Sequence, residues 1–167
     1  MEVSVKLARH IQIIIAVFGS ILVATVATAQ EHDGGGRCVP VSGTILTNLG
    51  VVDANTTLGT ATGDLKGAVA ANILSVAPGK DGTTVFTVQH HWVTEPGDTI
   101  TVGVAKARAM MVAPGLYAIV SYPITIVGGT GRFDGATGHI ESIGEVDLDA
   151  GHTVFRYTGQ ICLARRD

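Results

Sequence analysis

The sequence predicts an all-β fold, an eight-stranded antiparallel up-and-down barrel, and three observations predict it. From residue 40 onward, β-branched and polar side chains alternate in short runs punctuated by Gly, Pro, Asn and Asp, with no amphipathic helix among them. The stretch Gly128-Gly129-Thr130-Gly131-Arg132-Phe133-Asp134-Gly135-Ala136-Thr137-Gly138 places five glycines in eleven residues between two such runs. That density is expected where a backbone turns sharply or approaches another strand closely. The two cysteines, Cys38 and Cys162, lie toward opposite ends of the chain; paired, they make the first and last strands neighbours, as in a closed sheet. A two-sheet sandwich is the rival architecture, and the terminal pairing fits the barrel better.

The elements follow in order. Residues 1–29 read as a secretory signal: Lys6 and Arg9 precede the apolar stretch 11–24, and Ala27-Thr28-Ala29 is an A-x-A cleavage site before Gln30. A retained anchor is the alternative, since 11–29 is almost long enough to span a bilayer; the small residues at 24–29 favour cleavage. The expected address is secreted or periplasmic. Residues 30–39 are a flexible, glycine-rich leader and 40–167 the barrel domain. Strands are expected at 40–47, 56–62, 66–76, 83–94, 98–110, 116–127, 137–148 and 153–163. Asp53-Ala54-Asn55, Pro78-Gly79, Asp81-Gly82, Pro96-Gly97, Pro114-Gly115, the glycine-rich stretch and Asp149-Ala150-Gly151 supply the turns, because Pro presets φ and Gly accepts positive φ. Links this short make successive strands antiparallel neighbours.

Composition narrows the function. Removing the signal takes Lys6, Arg9 and Glu2 and leaves 138 residues with 9 basic against 13 acidic side chains. That is one domain with a sizeable core. No basic stripe exists to neutralise phosphates, so no nucleic-acid partner is expected. No later segment approaches spanning length, so no stable membrane span is expected after signal cleavage. In an oxidising compartment Cys38 and Cys162 are most simply a disulfide. Neither has a second Cys or His at ligand spacing, and no metal is expected. The glycine-rich stretch lacks the Lys-Ser/Thr of a phosphate loop and opens no helix, and no serine sits in a nucleophile elbow; no cofactor is expected.

Period-two reading sorts the faces of each strand. In 83–94, Phe86, Val88, His90 and Trp92 share one face and His91 lies opposite. In 98–110, Ile100, Val102, Val104, Lys106, Arg108 and Met110 oppose Thr101, Gly103 and three alanines. In 116–127, Val120, Tyr122, Ile124 and Ile126 share a face. In 137–148, Ile140, Ser142, Gly144 and Val146 oppose Glu141, Glu145 and Asp147. In 153–163, Phe155, Tyr157, Gly159 and Ile161 share a face. The last two strands have one wet face, where the carboxylates read as solvated surface. The middle strands are apolar or small on both faces, which points to a homo-oligomer contact.

Two groups carry candidate chemistry. His90 beside Trp92 could bind a ligand or shuttle a proton near neutral pH, although a packed Trp92 with a core-satisfied His90 is the plainer reading. Lys106 and Arg108 continue an apolar stripe and would face the lumen near one mouth, where cations could meet a carboxylate-bearing ligand such as a fatty acid. Placement beyond the lumen's edge, with the cations reaching water, is the alternative.

Ile126-Val127-Gly128-Gly129-Thr130-Gly131-Arg132-Phe133, then Gly135-Ala136-Thr137-Gly138 and the closing Phe155-Arg156-Tyr157-Thr158-Gly159-Gln160-Ile161, resemble the dirigent and allene oxide cyclase superfamily, in particular its exported bacterial members. The resemblance is firmest over 116–163. It implies a calycin-like barrel of eight strands with an apolar lumen, and a homo-oligomer, dimer or trimer, because plant members are commonly trimeric. Plant dirigents steer phenoxy radical coupling and allene oxide cyclases close a fatty-acid-derived epoxide; both hold a reactive apolar molecule in one shape. No catalytic residue of either carries over to a position here. The expected function is therefore to bind a small hydrophobic molecule, fatty-acid-like or phenolic, with Phe86, His90, Trp92, Lys106, Arg108, Tyr122 and Tyr157 lining the lumen. The alternatives are a cofactor-free cyclase or isomerase, and a structural or oligomerising envelope protein with a filled lumen.

Overall fold

The computed structural model describes residues 36–165; the signal at 1–29 and the leader as far as residue 35 lie outside the described residues. Nine strand segments follow one another: β1 (Arg37–Leu49), β2 (Thr56–Ala61), β3 (Gly67–Pro78), β4 (Thr84–Thr94), β5 (Thr99–Val102), β6 (Ala105–Ala113), β7 (Leu116–Gly129), β8 (Thr137–Asp147) and β9 (His152–Leu163). β5 and β6 both lie between β4 and β7, as two halves of one broken strand. β9 pairs with β1, so the sheet closes as an eight-stranded antiparallel barrel with up-and-down connectivity, and the sandwich is excluded.

The seam between β1 and β9 is the longest uninterrupted ladder, running from Arg37 opposite Leu163 to Asn48 opposite His152. Cys38 stands directly opposite Cys162 and is bonded to it. The expected disulfide is present, and residues 37–39, expected in the leader, are strand.

The break between β5 and β6 decides which side chains enter the barrel. Ile100 and Val102 are buried before it, and Ala105, Ala107 and Ala109 after it. Skipping Gly103 and Val104 shifts the inward phase by one residue, because parity along a strand survives only while the pleat is continuous. Gln89 covers the gap: its Nε2 donates to the carbonyls of Val102 (3.0 Å) and His90 (3.1 Å). The amide of Gly103 donates to the Thr125 carbonyl at 2.9 Å. The unbroken period expected over 98–110 does not hold: Lys106, Arg108 and Met110 point outward and are exposed.

The lumen has a closed and an open end. At the closed end a 3-10 turn, Gly63–Leu65, drops Leu65 into the barrel against Trp92 and Tyr157, and the glycine-rich link adds Phe133 and Ala136. Gly131 has φ +55, and a side chain there would collide with the Asp98 carboxylate, which accepts the Arg132 amide at 3.1 Å. That close approach lets the link fold back and deliver Phe133 to the core. The open end is formed by the β1–β2, β3–β4, β6–β7 and β8–β9 links.

Candidate functional site

Below the open end lies a cavity of about 50 Å³. Leu49, Val146 and Thr153 line its rim, Val69 and Ile124 its depth, and Phe86, Val88, His90, Tyr122, Ser142 and Phe155 its wall. A single water occupies roughly 10–15 Å³ on this measure, so the space admits a slender group a few atoms long without rearrangement. Its surface is overwhelmingly hydrocarbon and aromatic, with polar atoms at a few points.

Local backbone features aim those polar atoms inward. His90 and His91 are adjacent on β4, so only one can enter the barrel; His90 is buried and His91 exposed. On β7 the register with β8 slips between Ile119 and Tyr122, which turns Val120 outward and Tyr122 inward. The slip takes the Tyr122 amide out of the regular ladder, and Glu141 Oε1 accepts it at 3.0 Å together with the Ser121 hydroxyl at 3.1 Å. Glu141 is thus more than wet surface: its carboxylate holds the bulge that presents Tyr122.

Inside, Tyr122 Oη and His90 Nε2 are 2.8 Å apart. The phenol has no other acceptor among the described residues, so it donates to Nε2 and the imidazole proton sits on Nδ1. Burial pushes the His90 imidazole down to about 4, with His91 nearby adding to the fall, and burial pushes the Tyr122 phenol up. Both groups are therefore neutral at pH 7. His90 Nδ1 and Ser142 Oγ are buried without a hydrogen-bond partner among the described residues. Each such group costs about 1–3 kcal/mol if left unmatched. Nearer the rim, Thr47 and Thr153 satisfy one another at 2.7 Å.

The depressed imidazole has a stability consequence. Its folded value lies below the unfolded 6.5, so the unfolded chain takes up a proton first as pH falls. Stability from this group is intact above about 6.5 and drains between about 6.5 and about 4, by at most about 3 kcal/mol. Urea unfolding at pH 7, 5.5 and 4.5 should show that slope in the wild type and lose most of it in His90→Gln. An unchanged slope in the variant would mean that His90 is not held neutral by burial.

The structure separates the seven residues expected in the lumen. Phe86, His90 and Tyr122 line the cavity. Trp92 and Tyr157 are buried at the closed end and are absent from the cavity wall; their polar atoms are bonded to the turn at 62–65. Lys106 and Arg108 are outside, and among the described residues no Lys or Arg lines the cavity. Ser142 joins the wall without being among those seven; its signal in the sequence is a hydroxyl within the apolar face Ile140, Ser142, Gly144, Val146, where a polar side chain needs a reason.

Fold and site define a closed antiparallel barrel, plugged at one end by Leu65 and Phe133 and holding an apolar cavity toward the other. No family profile matches the chain, and no curated protein matches it. Among solved structures, the pterocarpan synthase dirigent protein GePTS1 aligns with a TM-score of 0.36 and 18% identity, over 80% of this chain and 88% of that one. The pterocarpan synthase dirigent protein PsPTS1 aligns with a TM-score of 0.36 and 15% identity, over 79% of this chain and 99% of that one. Likeness of this degree bears on no residue role, and the chain's own geometry carries the functional reading.

Proposed function

We propose that this is an exported barrel that binds a small, neutral, hydrophobic molecule through the open half of its lumen. The observation that carries the reading is the pair of buried, unpartnered atoms, His90 Nδ1 and Ser142 Oγ, in the wall of an otherwise apolar cavity. Each can hydrogen-bond an oxygen of a bound phenol, ether or carbonyl. An ionised carboxylate would be an uncompensated buried charge beside a neutral imidazole. Of the two expected ligand classes, the phenolic one is therefore favoured over a fatty-acid carboxylate. The disulfide and the signal-like residues 1–29 support export. Exposed Val120, Ile143 and Val154 on the outer wall support a homo-oligomer.

Thermal unfolding across matched panels of small phenols, neutral carbonyl compounds and carboxylates tests the reading. A ligand at a hundred times its dissociation constant stabilises by about 2.7 kcal/mol. Saturable stabilisation by neutral members is expected, weakened in Ser142→Ala and lost in His90→Leu. A flat response across the panel would leave a structural role with a packed lumen as the surviving account. A cyclase or isomerase draws on the same neutral imidazole as a proton-transfer group; turnover lost in His90→Gln with binding retained would select it.

A further inference from the structure

Two links at the closed end fold into the same turn. Thr62-Gly63-Asp64-Leu65 and Thr130-Gly131-Arg132-Phe133 share a Thr-Gly start, and each ends on the side chain that plugs the barrel. The threonines are extended at φ −114 and −117, and each glycine, at φ +79 and +55, opens a 3-10 turn. The next amide closes both turns: Lys66 donates to the Gly63 carbonyl at 3.3 Å and Asp134 to that of Gly131 at 3.1 Å. In this geometry the residue after the glycine stays outside while the one that follows it goes in. The outside residue is Asp64 in one turn and Arg132 in the other, and both are exposed.

These opposite charges border one groove of about 240 Å³ beyond the plug. Leu65, Phe133 and apolar residues from the seam ends of β1 and β9 make the rest of its lining, and among the described residues it has no third charged side chain. Asp64 is held in place: its Oδ2 accepts the Ser42 amide at 2.7 Å and the Ser42 hydroxyl at 3.3 Å, which leaves Oδ1 without a partner among the described residues. Arg132 is held as firmly. Its amide donates to Asp98 at 3.1 Å, and its guanidinium lies over the Phe133 ring, 4.5 Å from the centroid. Neighbouring charges are engaged elsewhere: Lys66 is paired with Glu95, the Asp98 carboxylate is bonded to the backbone of the Arg132 turn, and Asp134 lines a separate depression with Arg165. No ion pair joins Asp64 to Arg132. The groove thus presents a fixed anion and a fixed cation that do not neutralise one another.

We propose that this groove binds a small zwitterion with an apolar body, such as an amino acid or short peptide with hydrocarbon side chains. Its ammonium group meets Asp64, its carboxylate meets Arg132, and its apolar part rests on Leu65 and Phe133. A guanidinium takes a carboxylate through paired N–H donors, and an ammonium matches a carboxylate oxygen that is still free to accept. A ligand carrying one charge would bring a like charge to one side of the groove and leave the other unmatched. Side chains already fixed by the turns reduce the ordering cost of binding. The groove lies at the opposite end of the barrel from the His90 cavity, so the inference goes beyond the ligand-binding reading and stands independently of it.

The experiment is a titration of the disulfide-closed protein with leucine and with the dipeptide Leu-Leu, whose charged ends lie at two separations, followed by the NMR shifts of the Gly63, Leu65, Gly131 and Phe133 amides. Saturable shifts are expected with at least one of the two. Its N-acetylated and C-amidated forms should each bind about tenfold more weakly, as the loss of one charge-assisted hydrogen bond implies. Asp64→Asn and Arg132→Gln should each cost about as much, and Arg132→Lys, which keeps the charge, should cost less than Arg132→Gln. Both side chains are exposed, so thermal unfolding of these variants should stay close to that of the wild type. His90→Leu should leave the titration unchanged. The proposal is overturned if neither zwitterion gives saturable shifts, if the blocked forms bind as tightly, or if Asp64→Asn or Arg132→Gln leaves the affinity as it was. Binding lost in His90→Leu would also overturn it, by placing the ligand in the open half of the lumen.

Discussion

Trp92→Ala is expected to lower the free energy of unfolding by about 3–5 kcal/mol, the range for an aromatic side chain deleted from a core. Trp92 is 2% exposed, and its ring stands edge-on to Tyr157 with centroids 5.5 Å apart. Its Nε1 donates to the Leu65 carbonyl at 2.8 Å. The Leu65 amide donates to Tyr157 Oη at 3.1 Å, and that hydroxyl donates to the Thr62 carbonyl at 2.8 Å. The turn that plugs the barrel therefore has its backbone polar groups satisfied by two aromatic side chains. Removing the indole opens a void and orphans a buried carbonyl together. Trp92→Phe keeps most of the volume and loses only the hydrogen bond, so it should cost about 1–3 kcal/mol. Urea unfolding followed by circular dichroism measures both. A loss under about 1 kcal/mol for the alanine variant would show that the closed end is not packed as described.

Breaking the disulfide is the second large effect. Cys38 and Cys162 are 124 residues apart in sequence, so the bond closes almost the whole domain into one loop. The chain-entropy model assigns about 5 kcal/mol to a loop of that length, and removal of native disulfides typically costs about 2–5 kcal/mol. Cys38→Ser with Cys162→Ser should fall in that range. The ladder between β1 and β9 extends well beyond the bond, so the folded barrel should persist while the unfolded ensemble expands. The expected signature is a lower denaturation midpoint with near-native circular dichroism before the transition. A variant unfolded in water would mean that the bond, rather than the ladder, holds the seam together.

The parts of the fold that were legible in the sequence are those written in local chemistry. Pro-Gly and Asp-Gly pairs marked the turns because they preset the required φ values, and unbroken alternation sorted β4, β8 and β9 correctly. His90 was legible as the inward member of its pair for the same reason. Reading failed where the pleat is interrupted. Gly103 and Val104 look like two more residues of an alternating strand, yet they break it, and every inward residue from 105 onward changes parity. Lys106 and Arg108 moved from a lumen binding site to the outer wall on that account. Val120 and Tyr122 show a milder case, in which a bulge held by Glu141 reverses one residue and spares the next.

Depth was equally illegible. Phe86, His90, Trp92 and Tyr157 all read as inward residues, and all are buried. Whether an inward residue borders free space depends on what enters the barrel from the links, and Leu65 and Phe133 come from links that periodicity says nothing about. They fill the end where Trp92 and Tyr157 stand and leave the end where Phe86 and His90 stand hollow.

The sequence by itself determined that the chain is all-β, that its eight strands succeed one another antiparallel, and that its first and last strands are fastened together, because turn propensity, alternation and cysteine pairing act over short spans or through a single bond. Only the tertiary structure decided which end of the lumen is open, which polar atoms are left unmatched in it, and on which side of the wall the cations stand. Those outcomes depend on strand register and on contacts between links far apart in sequence, where a shift of one residue exchanges inside for outside.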